Sequence, residues 1–128
     1  MESIPDRIAI LVVDDEVINF EYVRIVFIKY DYEILHASNG LEAIEICRRI
    51  PTIKLVLMDL CMPVMDGFTA TKKILEFRPD LPIVALTATW EESLEEALES
   101  GCVEAYDKPI SKEKLLKLVD HYLPGSKS

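Results

Sequence analysis

The sequence lacks the features of a membrane-spanning or exported chain. Nowhere in its 128 residues does an apolar run approach the length required, which is about 20 residues for a helix that crosses a bilayer. Residues 1–6 do not form a signal peptide, which would need a basic start followed by an apolar stretch. We therefore expect no membrane span and a place of action in the cytoplasm, or on the cytoplasmic side of a larger protein.

Basic residues are in the minority. The chain has 14 Lys and Arg against 23 Asp and Glu, which gives a formal net charge of −9. Non-specific binding to nucleic acid depends on basic side chains that neutralise phosphates, and an acidic surface repels them. We predict that this domain alone does not bind nucleic acid, and that its acidity suits basic partner surfaces or divalent cations.

Cysteine is scarce and lacks a metal-binding or redox spacing. Cys47, Cys61 and Cys102 are an odd number, with no CxxC pair and no Cys/His pattern. This disfavours a disulfide framework and a zinc module. It predicts three reduced thiols, most of them buried, in a reducing compartment.

The chain instead alternates short aliphatic runs with segments of helical period. Continuous apolar runs at residues 8–13, 55–58 and 83–86 predict strands that are buried on both faces. Weaker runs at residues 32–36 and 103–107 predict two more strands toward the edges of the sheet. Single-domain length and this alternation predict one α/β domain.

Five helices are predicted from apolar residues that recur at three- and four-residue steps. They cover residues 17–30, 41–50, 66–77, 91–100 and a last segment behind Ser111. Gly101 is expected to end the fourth helix, whose five glutamates form a mostly solvated face. Right-handed crossovers then give a doubly wound, five-stranded parallel sheet with helices on both faces.

Polar side chains directly follow four of the predicted strands. They are Asp14-Asp15-Glu16, Asp59, Thr87 and Lys108-Pro109. Ligands of such sheets bind outside the carboxyl ends of the strands, so these side chains are predicted to converge on one edge. Carboxylates at close range repel one another unless a cation lies between them.

A bound magnesium ion would offset this repulsion, because Mg²⁺ takes one or two carboxylates directly and keeps several waters. We predict Asp15 and Asp59 as direct ligands and Asp14 as a ligand through water. The backbone carbonyl of Cys61 is expected to add an oxygen, and Lys108 to supply fixed positive charge on the other side.

Four motifs resemble the receiver domain of two-component response regulators, in the order and spacing of that family. They are VVDDE at 12–16, LMDLCMPVMDG at 57–67, ALTA at 85–88 and KPI at 108–110. The resemblance covers about residues 7–123 and implies a single receiver domain over residues 1–128, with a flavodoxin-like fold of strand order 2-1-3-4-5. It is closest to receivers that stand alone or end a hybrid histidine kinase.

The resemblance also implies a phosphoacceptor switch. Asp59 would attack a phosphohistidine of a histidine kinase or histidine phosphotransfer protein, with Mg²⁺ held by Asp14, Asp15 and Asp59. Thr87 would donate a hydrogen bond to the new phosphoryl group, and Lys108, before a cis peptide bond, would pair with it. The domain would catalyse only its own phosphorylation and dephosphorylation. Phosphorylation would repack the surface of the fourth helix, fifth strand and fifth helix. Members of this family commonly form homodimers through the fourth-helix surface when they are phosphorylated, so a homodimer is possible here.

Three further positions bear on how such a switch would work. Ala105 stands where the family commonly has an aromatic that rotates in and out, and Tyr106 is predicted to face the other side of the strand, so we expect this aromatic switch to be missing. Cys61 is predicted at the mouth of the site, where a small thiol leaves water access to the acyl phosphate and favours a lifetime of minutes. Trp90 is either a packing residue at the start of a helix or an exposed anchor for a partner.

Three other functions are weighed against this one. A phosphatase of the haloacid dehalogenase type would have a D-x-D pair after the first strand, where this chain has Asp14-Asp15-Glu16. A flavodoxin-like cofactor binder would need a glycine- and hydroxyl-rich loop there, and three acids would repel its phosphate. A receiver-like adaptor that works without phosphorylation is disfavoured because the residues of the site are intact.

Overall fold

The structure, a computed structural model, describes residues 7–123. Its elements are β1 (Ala9–Val13), α1 (Val17–Val26), β2 (Glu33–Ala37), α2 (Gly40–Arg49), β3 (Ile53–Asp59), α3 (Gly67–Phe77), β4 (Ile83–Thr87), α4 (Trp90–Ser100), β5 (Glu104–Asp107) and α5 (Lys112–Tyr122). The strands form one parallel sheet in the order β2-β1-β3-β4-β5, which confirms the predicted fold class and strand order. The two ends of the predicted domain lie outside the described residues.

The sheet separates two apolar layers, because alternate side chains of a strand point to opposite faces. On one face, Leu11 and Val13 of β1 pack with α2, α3 and α4. On the other face, Ile10 and Val12 pack with α1 and α5. Every residue of β1 and β4 is buried, as the continuous apolar runs predicted, and β2 and β5 lie at the edges. Among the described residues, no helix is long and apolar enough to cross a membrane.

The first helix is shorter than predicted and turns a different face to the core. It ends at Val26, not at residue 30, because the chain leaves the helical path at Phe27, whose ring is buried against the sheet. Val23 and Phe27 make the core contact of this segment. Of the four apolar residues whose spacing predicted the helix, Val26 packs against the core. Ile18, Tyr22 and Ile25 face outward, with Ile18 74% and Ile25 58% exposed.

The ends of the other helices follow the polar residues of the sequence. The side chains of Asn39, Asp66 and Ser111 each accept a hydrogen bond from a backbone N–H of the first turn of α2, α3 and α5. Gly101 ends α4 with a φ of 112°, a left-handed conformation that glycine adopts without strain. The three N-terminal caps follow strand ends and lie at the carboxyl edge of the sheet, whereas Gly101 precedes β5 and lies at the opposite edge.

Candidate functional site

Three aspartates meet at the carboxyl edge of the central strands. Asp14 and Asp15 follow β1 and Asp59 is the last residue of β3, and one carboxylate oxygen of each lies within 4.8 Å of the other two. Asp14 and Asp59 are buried, whereas Asp15 is exposed. The parallel pairing of β1 with β3 brings these ends together, as the sequence predicted.

Lys108 directly follows β5 and lies beside two of the three aspartates. Its Nζ lies 3.1 Å from Asp14 Oδ2 and 3.5 Å from Asp59 Oδ2. Burial lowers the pKa of Lys108, but the hydrogen bond that Lys108 donates to Asp14 and the charges of both carboxylates outweigh this effect and hold the pKa above its ordinary value. The peptide bond between Lys108 and Pro109 is cis. Lys108 is therefore a fixed cation between two buried carboxylates.

The Asp59 carboxylate is held in place at an electrostatic cost. Its Oδ1 accepts a hydrogen bond from the backbone N–H of Cys61 at 3.1 Å. Burial raises the pKa of Asp59 and the charge of Asp14 adds to this, whereas the Cys61 N–H and Lys108 act in the opposite direction without cancelling it. A cation at this point would relieve the repulsion, and a donor set made of carboxylate oxygens fits a hard divalent ion such as Mg²⁺.

Asp14 already has hydrogen-bond partners on both carboxylate oxygens. Its Oδ1 accepts from the Glu16 N–H at 2.9 Å, and its Oδ2 accepts from Asn19 Nδ2 at 3.1 Å beside Lys108. Asn19 lies in the first turn of α1 and also donates to Glu16 Oε1 at 3.3 Å. Sequence reasoning missed Asn19, although an amide five residues after Asp14, on the helix that follows, was a usable signal.

Thr87 ends β4 at the same edge of the sheet, and it is buried. Its backbone carbonyl accepts a bond from the Lys108 N–H at 3.0 Å, which joins the ends of β4 and β5. Its hydroxyl oxygen lies 3.1 Å from Thr89 Oγ1 and accepts from the Thr89 N–H at 3.1 Å. The structure thus brings Thr87 to the predicted edge of the sheet, with its hydroxyl bonded to the residue before α4.

The loop between β3 and α3 makes a tight turn beside Asp59. The Met65 N–H bonds to the Pro63 carbonyl at 2.8 Å, which gives Val64 a φ of 71°. Gly67 is required because a Cβ there would lie 2.3 Å from the backbone oxygen of Asp59. Cys61 is exposed, as predicted for a residue at the mouth of the site, and the role of its carbonyl as a metal ligand stays a prediction.

Val64 is a β-branched residue in a left-handed conformation, and 73% of it is exposed. We expect Val64→Asn to raise the free energy of unfolding by about 1 kcal/mol, because asparagine adopts this conformation at lower cost. Urea denaturation measures the difference. Val103→Asn is the matched control at an exposed valine with a negative φ, and an equal effect at both positions would contradict the explanation from backbone strain.

Ala105 and Tyr106 lie on opposite faces of β5, as predicted. Ala105 packs in the layer that contains α4, and Tyr106 packs against the layer that contains α5. Tyr106 donates its hydroxyl hydrogen to one oxygen of Glu104, and Tyr122 of α5 donates to the other oxygen at 2.5 Å. That the aromatic switch is missing stays a prediction.

This tyrosine pair makes stability depend on alkaline pH. The hydrogen bond to Glu104, with burial and the negative charge of Glu104, raises the pKa of Tyr106 from 10.0 to about 12. The folded protein therefore holds this proton more tightly than the unfolded chain. The resulting stability is fully present below pH 10.0 and is lost as the pH rises through about 12.

We expect Tyr106→Phe to lower stability at neutral pH by about 1 kcal/mol, the net value of one hydrogen bond. The same variant should lose less stability than the wild type as the pH rises above 10.0. Thermal unfolding as a function of pH measures both effects, with Tyr30→Phe as a control. Parallel curves for wild type and Tyr106→Phe would contradict this assignment.

Comparison with known proteins gives one family. The model of the response regulator receiver domain matches residues 10–120. Hybrid signal transduction histidine kinase M of Dictyostelium discoideum is 36% identical over 119 residues, which are 86% of this chain and 5% of that protein. The chain spans 5 to 25% of the length of the first three curated relatives that it matches, of which this kinase is one.

Two solved structures share the fold. The co-crystal structure of the Saccharomyces cerevisiae histidine phosphotransfer protein Ypd1 with the receiver domain of Ssk1 contains a chain 30% identical, with a TM-score of 0.83 over 94% of this chain and 91% of that one. The receiver domain of the Pseudomonas aeruginosa sensor histidine kinase PA1611, solved with a magnesium ion in its active site cleft, is 26% identical. Its TM-score is 0.81 over 91% of this chain and 98% of that one.

Proposed function

We propose, since this chain belongs to the family of response regulator receiver domains, that Asp59 accepts a phosphoryl group and that residues 1–128 form one such domain. The observation that carries the proposal is the Asp59 carboxylate, which is buried beside Asp14, oriented by the Cys61 N–H and faced by the Lys108 ammonium. Such a carboxylate is fixed in position and poorly stabilised as a free anion, which suits a nucleophile.

The reaction is the transfer of a phosphoryl group between two side chains. A carboxylate oxygen of Asp59 forms a bond to phosphorus, the bond from phosphorus to the partner's histidine nitrogen breaks, and its electron pair stays on the imidazole. Phosphorylation adds about 1.5 to 2 negative charges, which Lys108 balances. Thr87 donates its hydroxyl hydrogen to a phosphoryl oxygen. The domain catalyses this step on itself and turns over no other substrate.

Asp15 and Asp59 would hold Mg²⁺ directly, together with the Cys61 carbonyl. Asp14 would act through water, because its two oxygens already accept bonds from Glu16, Asn19 and Lys108. When bound, Mg²⁺ neutralises negative charge on the carboxylates and on the transferred group. The residues of this chain orient the nucleophile and supply the balancing cation.

The partner is a histidine kinase or a histidine phosphotransfer protein, of which the Ypd1 complex gives a related example. Its docking surface here is the α1 stripe, defined as Ile18, Tyr22 and Ile25, which is exposed over two turns of the helix. Tyr22 donates a hydrogen bond to the Ile110 carbonyl at 2.9 Å, so the stripe adjoins the loop that carries Lys108. A partner seated there can bring its histidine to Asp59.

Ile25→Ser is expected to slow phosphoryl transfer from phosphorylated Ypd1 by roughly tenfold, as for a central contact of an interface. Phosphorylation by acetyl phosphate, which needs no docking, should stay unchanged. The matched control is Leu98→Ser, at a leucine of α4 that is 46% exposed and lies outside the α1 stripe. Equal slowing with both donors would count against the α1 stripe as the docking surface.

Intact mass spectrometry after treatment with acetyl phosphate and Mg²⁺ tests the function itself. The wild type should gain the mass of one phosphoryl group and Asp59→Asn should gain none. No gain in the wild type would leave a phosphorylation-independent adaptor, and steady hydrolysis of p-nitrophenyl phosphate would indicate a phosphatase. Size-exclusion chromatography with beryllofluoride tests homodimerisation. The cytoplasm remains the proposed location, since all three thiols are free.

A further inference from the structure

Three hydroxyl groups join the end of β4 to α4. Thr87 Oγ1 lies 3.1 Å from Thr89 Oγ1, and Thr89 Oγ1 lies 2.9 Å from Ser93 Oγ. Thr87 and Ser93 are buried, and Thr89 lies between them at the surface. We call Thr87, Thr89 and Ser93 the hydroxyl row. It forms a continuous polar connection from the edge of the site into the second turn of the helix.

Thr89 stands where a threonine ordinarily caps a helix. A residue in this position usually accepts a bond from a backbone N–H of the first turn. The Thr89 side chain makes no such bond, although the side chains before α2, α3 and α5 do. Its hydroxyl is engaged instead with Thr87 on one side and Ser93 on the other. The residue before α4 is therefore hydrogen-bonded to Thr87 of the site, and its side chain does not cap the helix.

The Thr87 hydroxyl has a single hydrogen, so its bonds compete. At present its oxygen accepts from the Thr89 N–H and shares a second bond with the Thr89 hydroxyl. Either hydroxyl can be the donor of the second bond, and when Thr87 is the donor its hydrogen must leave Thr89 before it can be donated to a phosphoryl oxygen on Asp59. Phosphorylation therefore competes with the bond that holds Thr89.

Trp90 connects this event to β5. It begins α4, it is half-buried against the core, and its Nε1 donates to the backbone carbonyl of Ala105 at 2.9 Å. This contact supports the reading of Trp90 as a packing residue at the start of the helix. Because Trp90 directly follows Thr89, a displacement of Thr89 would reach the bond to Ala105.

We propose that Thr89 is a positioning residue that controls how readily the Thr87 hydroxyl turns toward a phosphoryl group on Asp59. At rest it holds the Thr87 hydroxyl within the hydroxyl row. When Thr87 turns to a phosphoryl group on Asp59, the freed Thr89 hydroxyl caps α4, and the first turn moves relative to the Ala105 carbonyl. This inference rests on the proposed function and specifies how phosphorylation reaches α4 and β5.

The test compares Thr89→Val, which has the same shape without the hydroxyl, with the conservative variant Thr89→Ser. Beryllofluoride with Mg²⁺ is the probe, its affinity is measured by fluorine NMR, and the response of α4 is read from the fluorescence of Trp90, the sole tryptophan. Thr89→Val should bind beryllofluoride about fivefold more tightly, the factor that one net hydrogen bond represents. Its change in Trp90 emission should be strongly reduced, because no hydroxyl remains to cap α4.

Thr89→Ser should restore both the wild-type affinity and the emission change. Ser100→Ala, which removes another buried hydroxyl from α4, should leave both unchanged. A Thr89→Val variant with the affinity and emission change of the wild type would overturn the inference and leave the proposed function standing. A wild type that does not bind beryllofluoride, or an Asp59→Asn variant that binds it equally well, would overturn both.

Discussion

Lys108→Met is expected to lower the free energy of unfolding by about 3 kcal/mol when divalent ions are absent. The ammonium of Lys108 lies between Asp14 and Asp59, at 3.1 Å and 3.5 Å from their carboxylate oxygens. Methionine keeps the length of the side chain and removes its charge. Two buried carboxylates then face each other without that counter-charge, and the loss of one partner from a buried ion pair is strongly destabilising.

Urea denaturation in EDTA measures this loss. Lys117→Met, at an exposed lysine of α5, is the matched control and should change stability little. The double variant Lys108→Met/Asp59→Asn should recover most of the lost stability, because it removes one of the two repelling charges. A double variant as unstable as Lys108→Met alone would show that packing, and not charge, explains the loss.

Removal of Mg²⁺ should have the second largest effect. In the wild type, Mg²⁺ at a hundred times its dissociation constant should raise the free energy of unfolding by about 2.7 kcal/mol. Asp59→Asn should be more stable than the wild type in EDTA, because burial and the charge of Asp14 disfavour the Asp59 carboxylate, as its raised pKa indicates. The same variant should gain less from Mg²⁺, since it offers one carboxylate fewer.

Thermal unfolding with and without Mg²⁺ measures both parts of this prediction. Asp107→Asn, at an exposed aspartate beyond the described cluster of three, is the control and should respond to Mg²⁺ as the wild type does. If Asp59→Asn were less stable than the wild type in EDTA and gained equally from Mg²⁺, Asp59 would be a structural residue and not a ligand.

Both predictions follow from one property of the site. Asp14 and Asp59 are buried at the edge of a sheet whose other buried side chains are mostly apolar, so their charges cost stability unless a cation is near. Lys108 supplies one positive charge, and a divalent ion would supply the rest. An added phosphoryl group would change this balance more than any single side-chain movement, which explains why the site suits a switch.

The sheet could be predicted from the sequence because a strand that is buried on both faces consists of a continuous run of apolar residues. The aliphatic runs of β1, β4 and residues 55–58 of β3 contain no polar residue until each strand ends, and the parallel fold then brings those ends to one edge. Asp14, Asp59, Thr87 and Lys108 were therefore found as a group. The extent of α1 was predicted wrongly, and most of the apolar residues that predicted it are exposed, because spacing alone does not show which apolar residues reach the core.

By itself, then, the sequence determined the fold class, the edge of the sheet that carries the site and the charged residues that meet there, because these depend on hydrophobic pattern and strand direction. Only the tertiary structure decided which hydrogen bonds those residues make. Asn19 on Asp14, Thr89 on Thr87 and Trp90 on the Ala105 carbonyl join different elements of the fold. Such contacts depend on side-chain direction and on the distance between elements, which a one-dimensional pattern does not contain.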